Sequence, residues 1–353
     1  MMRYLFFIQQ LYSYSILRPL QEAIRTRGDE AAWFVQGTDE LQLRADEIQL
    51  QTVTDVKKYN PAAVFAPGNW VPDFFPGIKV EVFHGLANDQ TGKRGHFRIR
   101  GLFDLYCTHA PEVTHQFQEL AAQHRTFTVN ETGWPKLDPL FDQQVCQADQ
   151  HPEFKTRLRT NKPVVLYAST FSPSLTSAPV LFDTIRHLTQ NGQYHWLITL
   201  HPKTPTELVV KYRGLAGPDC TFIESNFTVL PLLKSADVML CDTSSIALEF
   251  MLLDKPLVTF RTKMPGPHVI DTDQPQKIAP AIAQALSRPD GLLRATKKYI
   301  DALHPYRDGQ SSIRILEAVD HFIQENTSAT LQHKPLNFWR KMKMRRAMNH
   351  FRW

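Results

Sequence analysis

The chain reads as an α/β protein made of two doubly wound parallel-sheet domains in tandem. Short apolar runs of strand length alternate with stretches of helical length and spacing almost throughout, and such alternation implies parallel sheets covered by helices. The 353 residues exceed one typical domain and suffice for two cores. Between Pro139 and Lys162 the hydrophobic periodicity weakens and charged or amide residues dominate, which sets a boundary. Domains are therefore expected at 1–150 and 151–325, followed by a basic tail at 326–353.

In the first domain, strands are predicted at Tyr4–Ile8, Ala32–Val35, Val64–Ala66, Val80–Phe83, Leu105–Thr108 and Thr126–Val129. An apolar-periodic helix separates the first two over Ile16–Arg25, with Gly28 as its stop, and Pro111–His124 reads as a helix with proline in its first turn. In the second, the apolar runs Val164–Tyr167, Trp196–Leu200, Thr221–Ile223, Val238–Leu240 and Leu257–Phe260 are the strands.

Composition narrows the function classes. Hydrophobic residues at 42% and charged residues at 21% are ordinary for a globular protein, and no apolar run approaches the roughly 20 residues that span a bilayer. The opening run Met1–Gln10 lacks the small-residue cleavage site of a signal peptide and reads as the first strand of a cytoplasmic protein. Cys107, Cys146, Cys220 and Cys241 are widely separated and form no C-x-x-C pair, so neither a zinc site nor a disulfide framework is expected. Walker and Gly-x-Gly-x-x-Gly phosphate loops and His-Glu-x-x-His are absent. From Asn326 to Trp353 there are seven Lys or Arg and no Asp or Glu; subtracting them from the net +5 leaves the other 325 residues at −2. The basicity belongs to the tail, and a nucleic-acid-binding body is not expected.

Polar, catalytically competent residues gather at the carboxyl ends of the predicted strands, where ligands bind in this fold class. His84-Gly85 closes one strand, Ser169-Thr170 a second, His201-Pro202 a third and Asp242-Thr243-Ser244-Ser245 a fourth. The last runs into a helix carrying Glu249, and unpaired N–H groups at a helix start, together with two hydroxyls, can complete an anion cradle. Ordinary N-capping by Asp242, Thr243 or Ser244 is the competing reading. Asp271-Thr-Asp273 mimics a metal-binding Asp-x-Asp but lies in a proline-flanked polar segment without a strand before it, and ranks low.

Several blocks in order resemble the CDP-glycerol glycerophosphotransferase family, which includes teichoic-acid primases and polymerases. They are Val82-Phe-His-Gly85 with Lys93-Arg94 downstream, Phe103-Asp-Leu-Tyr-Cys107, Gly133-Trp-Pro-Lys-Leu-Asp138, Leu166-Tyr-Ala-Ser-Thr170, His201-Pro202, the Asp242 cluster with Asp254-Lys-Pro256, and Arg307-Asp-Gly-Gln-Ser-Ser-Ile-Arg314. The order matches from about residue 60 to 325. The sequence departs from the family's pattern at Thr243, where an aromatic residue is usual, and in the segment 86–92.

The resemblance implies a GT-B-like architecture, with an acceptor-binding first domain facing a CDP-donor-binding second domain across a cleft. It implies transfer of a polyol phosphate, glycerol phosphate first, from a CDP-linked donor to an acceptor hydroxyl with release of CMP, in cell-surface polymer synthesis. His84 falls at the catalytic base and His201 at a donor-phosphate histidine. Ser169, Thr170, Asp242, Thr243, Ser244, Ser245 and Glu249, with Arg307, Asp308, Gly309, Ser311 and Ser312, fall on donor-binding positions, and Gly85, Lys93 and Arg94 on the acceptor side. No metal or cofactor is implied. An alcohol attacking phosphorus must lose its proton, and an imidazole with a reference pKa of about 6.5 is poised to take it. The implied partners are a CDP-polyol and a lipid-linked or saccharide acceptor. A GT-B glycosyltransferase using a nucleotide sugar and a non-catalytic scaffold remain as alternatives. The tail over 334–353 mixes cations with Met and aromatic side chains, a composition suited to an anionic membrane surface at the inner face of the cell membrane; a disordered basic tail is the competing expectation.

Overall fold

After Arg3, apolar residues run without interruption to the end of the first strand, β1 (Arg3–Ile8), because it lies within a parallel sheet rather than at its edge. The computed structural model describes residues 1–37, 42–86, 94–142, 161–224 and 229–351, and the chain divides into two units, Met1–Phe141 with Ala302–Trp353 and Asp142–Asp301.

Among the described residues the first unit holds β1, β2 (Glu30–Val35), β3 (Ile48–Gln49), β4 (Ala63–Ala66), β5 (Ile78–Glu81), β6 (Leu105–Thr108) and β7 (Thr128–Glu131) in the spatial order β3-β2-β1-β4-β5-β6-β7. Neighbouring strands pair in parallel, as in Tyr4 opposite Ala31 on one side and Ala63 on the other. The order reverses between β1 and β4, which opens a crevice at their carboxyl ends. Helices Ser13–Thr26 and Pro111–His124 flank the sheet, and Leu5, Phe7, Val64, Phe75 and Phe117 meet in one apolar core.

The second unit repeats the plan. Its strands β8 (Val164–Ser169), β9 (His195–Leu200), β10 (Cys220–Ile223), β11 (Val238–Cys241), β12 (Leu257–Phe260) and β13 (Ile270–Thr272) lie in the order β10-β9-β8-β11-β12-β13, all in parallel pairs. The reversal here falls between β8 and β11. Val165, Tyr167, Trp196, Ile198 and Leu240 form its core.

Three differences from the sequence reading have local causes. The strand expected at Val80–Phe83 ends at Glu81 because Phe83 adopts the left-handed backbone, φ +58°. β7 is displaced by two residues because its last position, Glu131, is held by side-chain hydrogen bonds from Thr114 and Tyr306 and keeps pairing despite its charge. The largest difference is at the carboxyl end: the second domain was expected to run to 325, yet the chain from Ala302 onward packs into the first unit. Asp138 draws it there. Its buried carboxylate accepts from the backbone N–H groups of Ser311 (2.9 Å) and Ser312 (2.8 Å), which start the helix Ser311–Gln324. Nearby, buried His304 accepts at Nε2 from the N–H of Trp134 (3.0 Å).

The tail is also folded. Helix Phe338–Ala347 buries Met344 and Arg345 against the first unit, and Arg345 pairs with Asp73 at 2.6 Å. Lys334 pairs with Asp104 at 2.6 Å.

Candidate functional site

In the first unit the reversal between β1 and β4 places two chain ends beside one imidazole. His84 follows the left-handed turn at Phe83, is exposed, and donates from Nδ1 to the carbonyl oxygen of Pro67, just beyond β4, at 3.2 Å. Tyr12, just beyond β1, faces the imidazole with ring centres 6.0 Å apart. A carbonyl can only accept, so the neutral ring carries its proton on Nδ1 and its lone pair on Nε2.

In the second unit the reversal between β8 and β11 is filled by Asp242. Its side chain is 1% exposed and accepts four hydrogen bonds: from Ser169 Oγ (2.6 Å), Thr170 N (2.9 Å), Ser177 N (2.8 Å) and Ser177 Oγ (2.9 Å). Asp242 thus organises the loop after β8 and the start of the helix Ala178–Gln190. Thr243 is also engaged, its Oγ1 accepting from Lys263 N at 3.0 Å. Ser244 and Ser245 open the helix Ile246–Met251, which has no side-chain cap hydrogen bond, so the capping reading is not what the structure shows. Ser245 is exposed, while Glu249, one turn further, is buried.

His201, at the end of β9, is half-buried and uses its ring differently. Its Nδ1 accepts from Lys203 N at 3.1 Å, which leaves the proton on Nε2. Burial, then the charge of Lys203, pushes its pKa below the usual histidine range. The ring stands 4.3 Å from that of Phe171, which follows Thr170. One histidine therefore presents a lone pair at Nε2 and the other an N–H, each fixed by a backbone partner.

A sequence profile built on the family described as CDP-Glycerol:Poly(glycerophosphate) glycerophosphotransferase matches residues 84–321, starting at His84 and spanning the Asp242 cluster. The chain belongs to this family. Relatives include the teichoic acid glycerol-phosphate primase of Bacillus spizizenii, 25% identical over 194 residues, which are 51% of this chain and 47% of the primase. The primase of Bacillus subtilis is 26% identical over 181 residues, 46% of this chain and 44% of its own. The matched region thus spans about half the length of the curated relatives. Among solved structures, the wall teichoic acid polymerase TagF superposes with a TM-score of 0.65 at 16% identity, over 92% of this chain and 90% of that one. A putative UDP-N-acetylglucosamine 2-epimerase from Listeria monocytogenes gives 0.64 at 15% identity, over 92% and 97%. At these identities the likeness is one of fold, and it is the GT-B-like fold that the sequence implied.

Other blocks of this glycerophosphotransferase-family chain have structural tasks. Ser311 and Ser312, expected to touch the donor, are buried and spend their N–H groups on Asp138. Asp308 pairs with Arg314 and accepts from Gln310 N at 3.1 Å, forming with Gly309 (φ +69°) a tight turn beside half-buried Arg307. All of these lie in the first unit. In Asp254-Lys-Pro256, the Lys255 ammonium donates to the carbonyls of Leu233 (3.0 Å), Lys234 (2.6 Å) and Ala236 (2.7 Å), closing the end of the helix Leu230–Ser235. Burial lowers its pKa to about 8. Asp271 lies on β13 itself, an edge strand the sequence reading missed, and accepts from Thr259 Oγ1 (2.7 Å) and Thr262 N (3.1 Å). Among the described residues no group of three or more His, Cys, Asp or Glu could hold a metal ion. Gly85 is half-exposed beside His84, Arg94 opens a short 3-10 turn, Arg94–Phe97, and Lys93 lies outside the described residues.

The sequence reading passed over one feature near His84. Glu81, three residues before it, is 3% exposed at the end of β5. The available signal was a carboxylate inside the apolar run Val80-Glu-Val-Phe83.

Proposed function

We propose that the chain transfers glycerol phosphate from CDP-glycerol to an acceptor hydroxyl and releases CMP. Family membership supports the reaction class, and the opposite protonation of the two histidine Nε2 atoms is the observation that carries the mechanism. The acceptor oxygen attacks the glycerol-bearing phosphorus. Its proton passes to the lone pair of His84 Nε2 as the new P–O bond forms. The bond from that phosphorus to the bridging oxygen breaks, and CMP leaves with that oxygen. His201, kept neutral by burial yet holding an Nε2–H, donates to a phosphate oxygen and offsets the charge that develops there. The Ser244 and Ser245 hydroxyls, which follow Asp242 at the start of the helix Ile246–Met251, bind the donor's pyrophosphate, and Glu249 addresses its ribose.

The acceptor is a lipid-linked or polymer-end hydroxyl, and the enzyme works at the inner face of the cell membrane. No helix among the described residues is long and apolar enough to cross a membrane. The folded tail instead exposes Leu336 (85%), Trp339 (83%) and Phe338 (51%), with Lys343 and Arg346 also exposed. Apolar side chains among cations suit insertion at an anionic interface. Co-sedimentation with phosphatidylglycerol vesicles, absent with phosphatidylcholine and lost in a Leu336→Ser, Trp339→Ser variant, is the expected outcome; equal behaviour of the variant refutes this role for the tail.

The reaction is tested by separating the nucleotide products after incubation with CDP-glycerol and a membrane-lipid extract. CMP formation that needs the extract and disappears in His84→Ala is expected. Formation of a nucleoside diphosphate from a nucleotide sugar, with none of CMP from CDP-glycerol, would instead establish a glycosyltransferase.

A further inference from the structure

The donor-binding residues assigned in the second unit are electrically one-sided. Ser169, Thr170, Ser244 and Ser245 are uncharged, His201 is kept neutral by burial, and Asp242 and Glu249 are acidic. A CDP-linked polyol carries a negative charge on each of its two phosphates. A site that grips such an anion gains most from cations close to the phosphate oxygens, and two lysines stand directly against this cluster.

Lys203 follows β9 and is exposed. Its backbone N–H is the group that donates to His201 Nδ1, and the next N–H, that of Thr204, donates to the carbonyl oxygen of His201 at 2.8 Å. The turn is thereby tied to the imidazole. The Lys203 ammonium lies 5.4 Å from the ring centre of Phe171, the same ring that packs against His201. Cation–π attraction seats the ammonium there, close enough that its charge joins burial in lowering the His201 pKa.

Lys263 comes from the other side. It lies beyond β12, also exposed, in a loop where three successive N–H groups are pinned. Thr262 N donates to Asp271 Oδ1 (3.1 Å), Lys263 N to Thr243 Oγ1 (3.0 Å) and Met264 N to Thr262 Oγ1 (3.3 Å). Thr243 immediately precedes Ser244-Ser245, so its hydroxyl joins this loop to the phosphate turn. The aromatic residue usual at this position would offer no β-hydroxyl for the link. β9, β8, β11 and β12 are consecutive in the sheet, which sets β9 and β12 roughly 14 Å apart at about 4.8 Å per strand. The two flexible four-carbon stems thus start on either flank of the crevice between β8 and β11 and can converge on it.

We propose that Lys203 and Lys263 are a pair of donor-binding residues that grip the pyrophosphate from opposite flanks, with Thr243 as the positioning residue for Lys263. The pair rests on the proposed function and adds to it the cations that offset charge on the non-bridging oxygens while the bond to the bridging oxygen breaks.

Inorganic pyrophosphate is the probe, because it carries the anion without base or polyol, and CDP-glycerol is titrated in parallel. Calorimetry on the full chain compares the wild type with Lys203→Gln, Lys263→Gln, the charge-keeping Lys203→Arg and Lys263→Arg, and Lys211→Gln, an exposed lysine on the helix Thr206–Arg213. Thermal unfolding checks that each variant folds. Each of Lys203→Gln and Lys263→Gln is expected to weaken both ligands about tenfold, the Arg variants to stay within about threefold of the wild type, and Lys211→Gln to match it. Thr243→Val is expected to weaken binding about fivefold in the wild-type background and no further in Lys263→Gln, a coupling that a general loss of structure would not produce. Equal losses in both backgrounds would overturn the positioning role. Undiminished binding in either Gln variant, an equal loss in Lys211→Gln, or no binding of either ligand by the wild type would overturn the pair. If pyrophosphate follows the expected pattern while CDP-glycerol does not bind, the pair stands and the donor assignment falls; if CDP-glycerol binds and neither Gln variant weakens it, the donor assignment stands and the pair falls.

Discussion

His84→Ala removes the lone pair proposed to take the acceptor proton, so turnover is expected to fall by ~10²–10⁴-fold while affinity for CDP-glycerol changes by less than about threefold. Single-turnover rates beside equilibrium titration check both halves of that expectation. Asp242 is a different kind of residue. It accepts from Ser169, Thr170 and Ser177 while buried, so Asp242→Ala strands several donors and should lower unfolding stability by at least about 3 kcal/mol as well as donor affinity, read by urea titration. At this scale, the places of His84, His201 and the Asp242 cluster just beyond strand ends were legible because polar residues that end apolar runs stand out. Glu81 was not, since nothing in Val80-Glu-Val-Phe83 distinguishes a buried carboxyl from an exposed one at a sheet edge. The tautomers of the histidines were equally hidden: they depend on Pro67 and Lys203 backbone groups placed by the fold.

Elements followed their sequence signals where burial was uniform. β6 and β12 coincide with their apolar runs because every residue in them is buried. β3 and β13 escaped notice because they are two- and three-residue edge strands without a fully buried residue. The helix Ser311–Gln324 shows how an element can be legible while its place is not: its amphipathic pattern is local, but its cap, Asp138, lies 173 residues earlier. Gly133 sits at this junction with φ +82°, and a Cβ would lie 2.5 Å from Ser311 Oγ. Gly133→Ala is therefore expected to destabilise the first unit by at least ~1–3 kcal/mol, a loss measurable as a lower urea midpoint. An unchanged midpoint would mean that the return segment is not packed there.

For the whole molecule, the fold class was readable and the chain's itinerary was not. Alternating strands and helices announce two parallel sheets, yet no periodicity says that residues after 301 rejoin the first unit; that follows from Asp138, Trp134 and Glu131 receiving Ser311, His304 and Tyr306 as partners from the returning chain. This return has a pH signature. Burial depresses the His304 pKa to about 4, below its unfolded value of about 6.5, because the folded site requires a neutral Nε2 acceptor for Trp134. Above pH ~6.5 both states are neutral and the stabilisation is complete; as pH falls towards ~4 the unfolded chain takes a proton the folded chain refuses, and about 3 kcal/mol is lost. Urea unfolding at pH 7 and pH 5 should show this decline, and His304→Gln, which can still accept from Trp134, should flatten it.

The central claim is that the second unit binds a CDP-linked polyol through the Asp242 turn for a reaction driven by His84. Isothermal calorimetry of the purified protein with CDP-glycerol, UDP-sugars as comparators, and the Ser245→Ala and His84→Ala variants tests it most directly. The account predicts selective binding of CDP-glycerol, weakened in Ser245→Ala and retained in His84→Ala. Binding of a UDP-sugar alone, or CDP-glycerol affinity indifferent to Ser245→Ala, would contradict it.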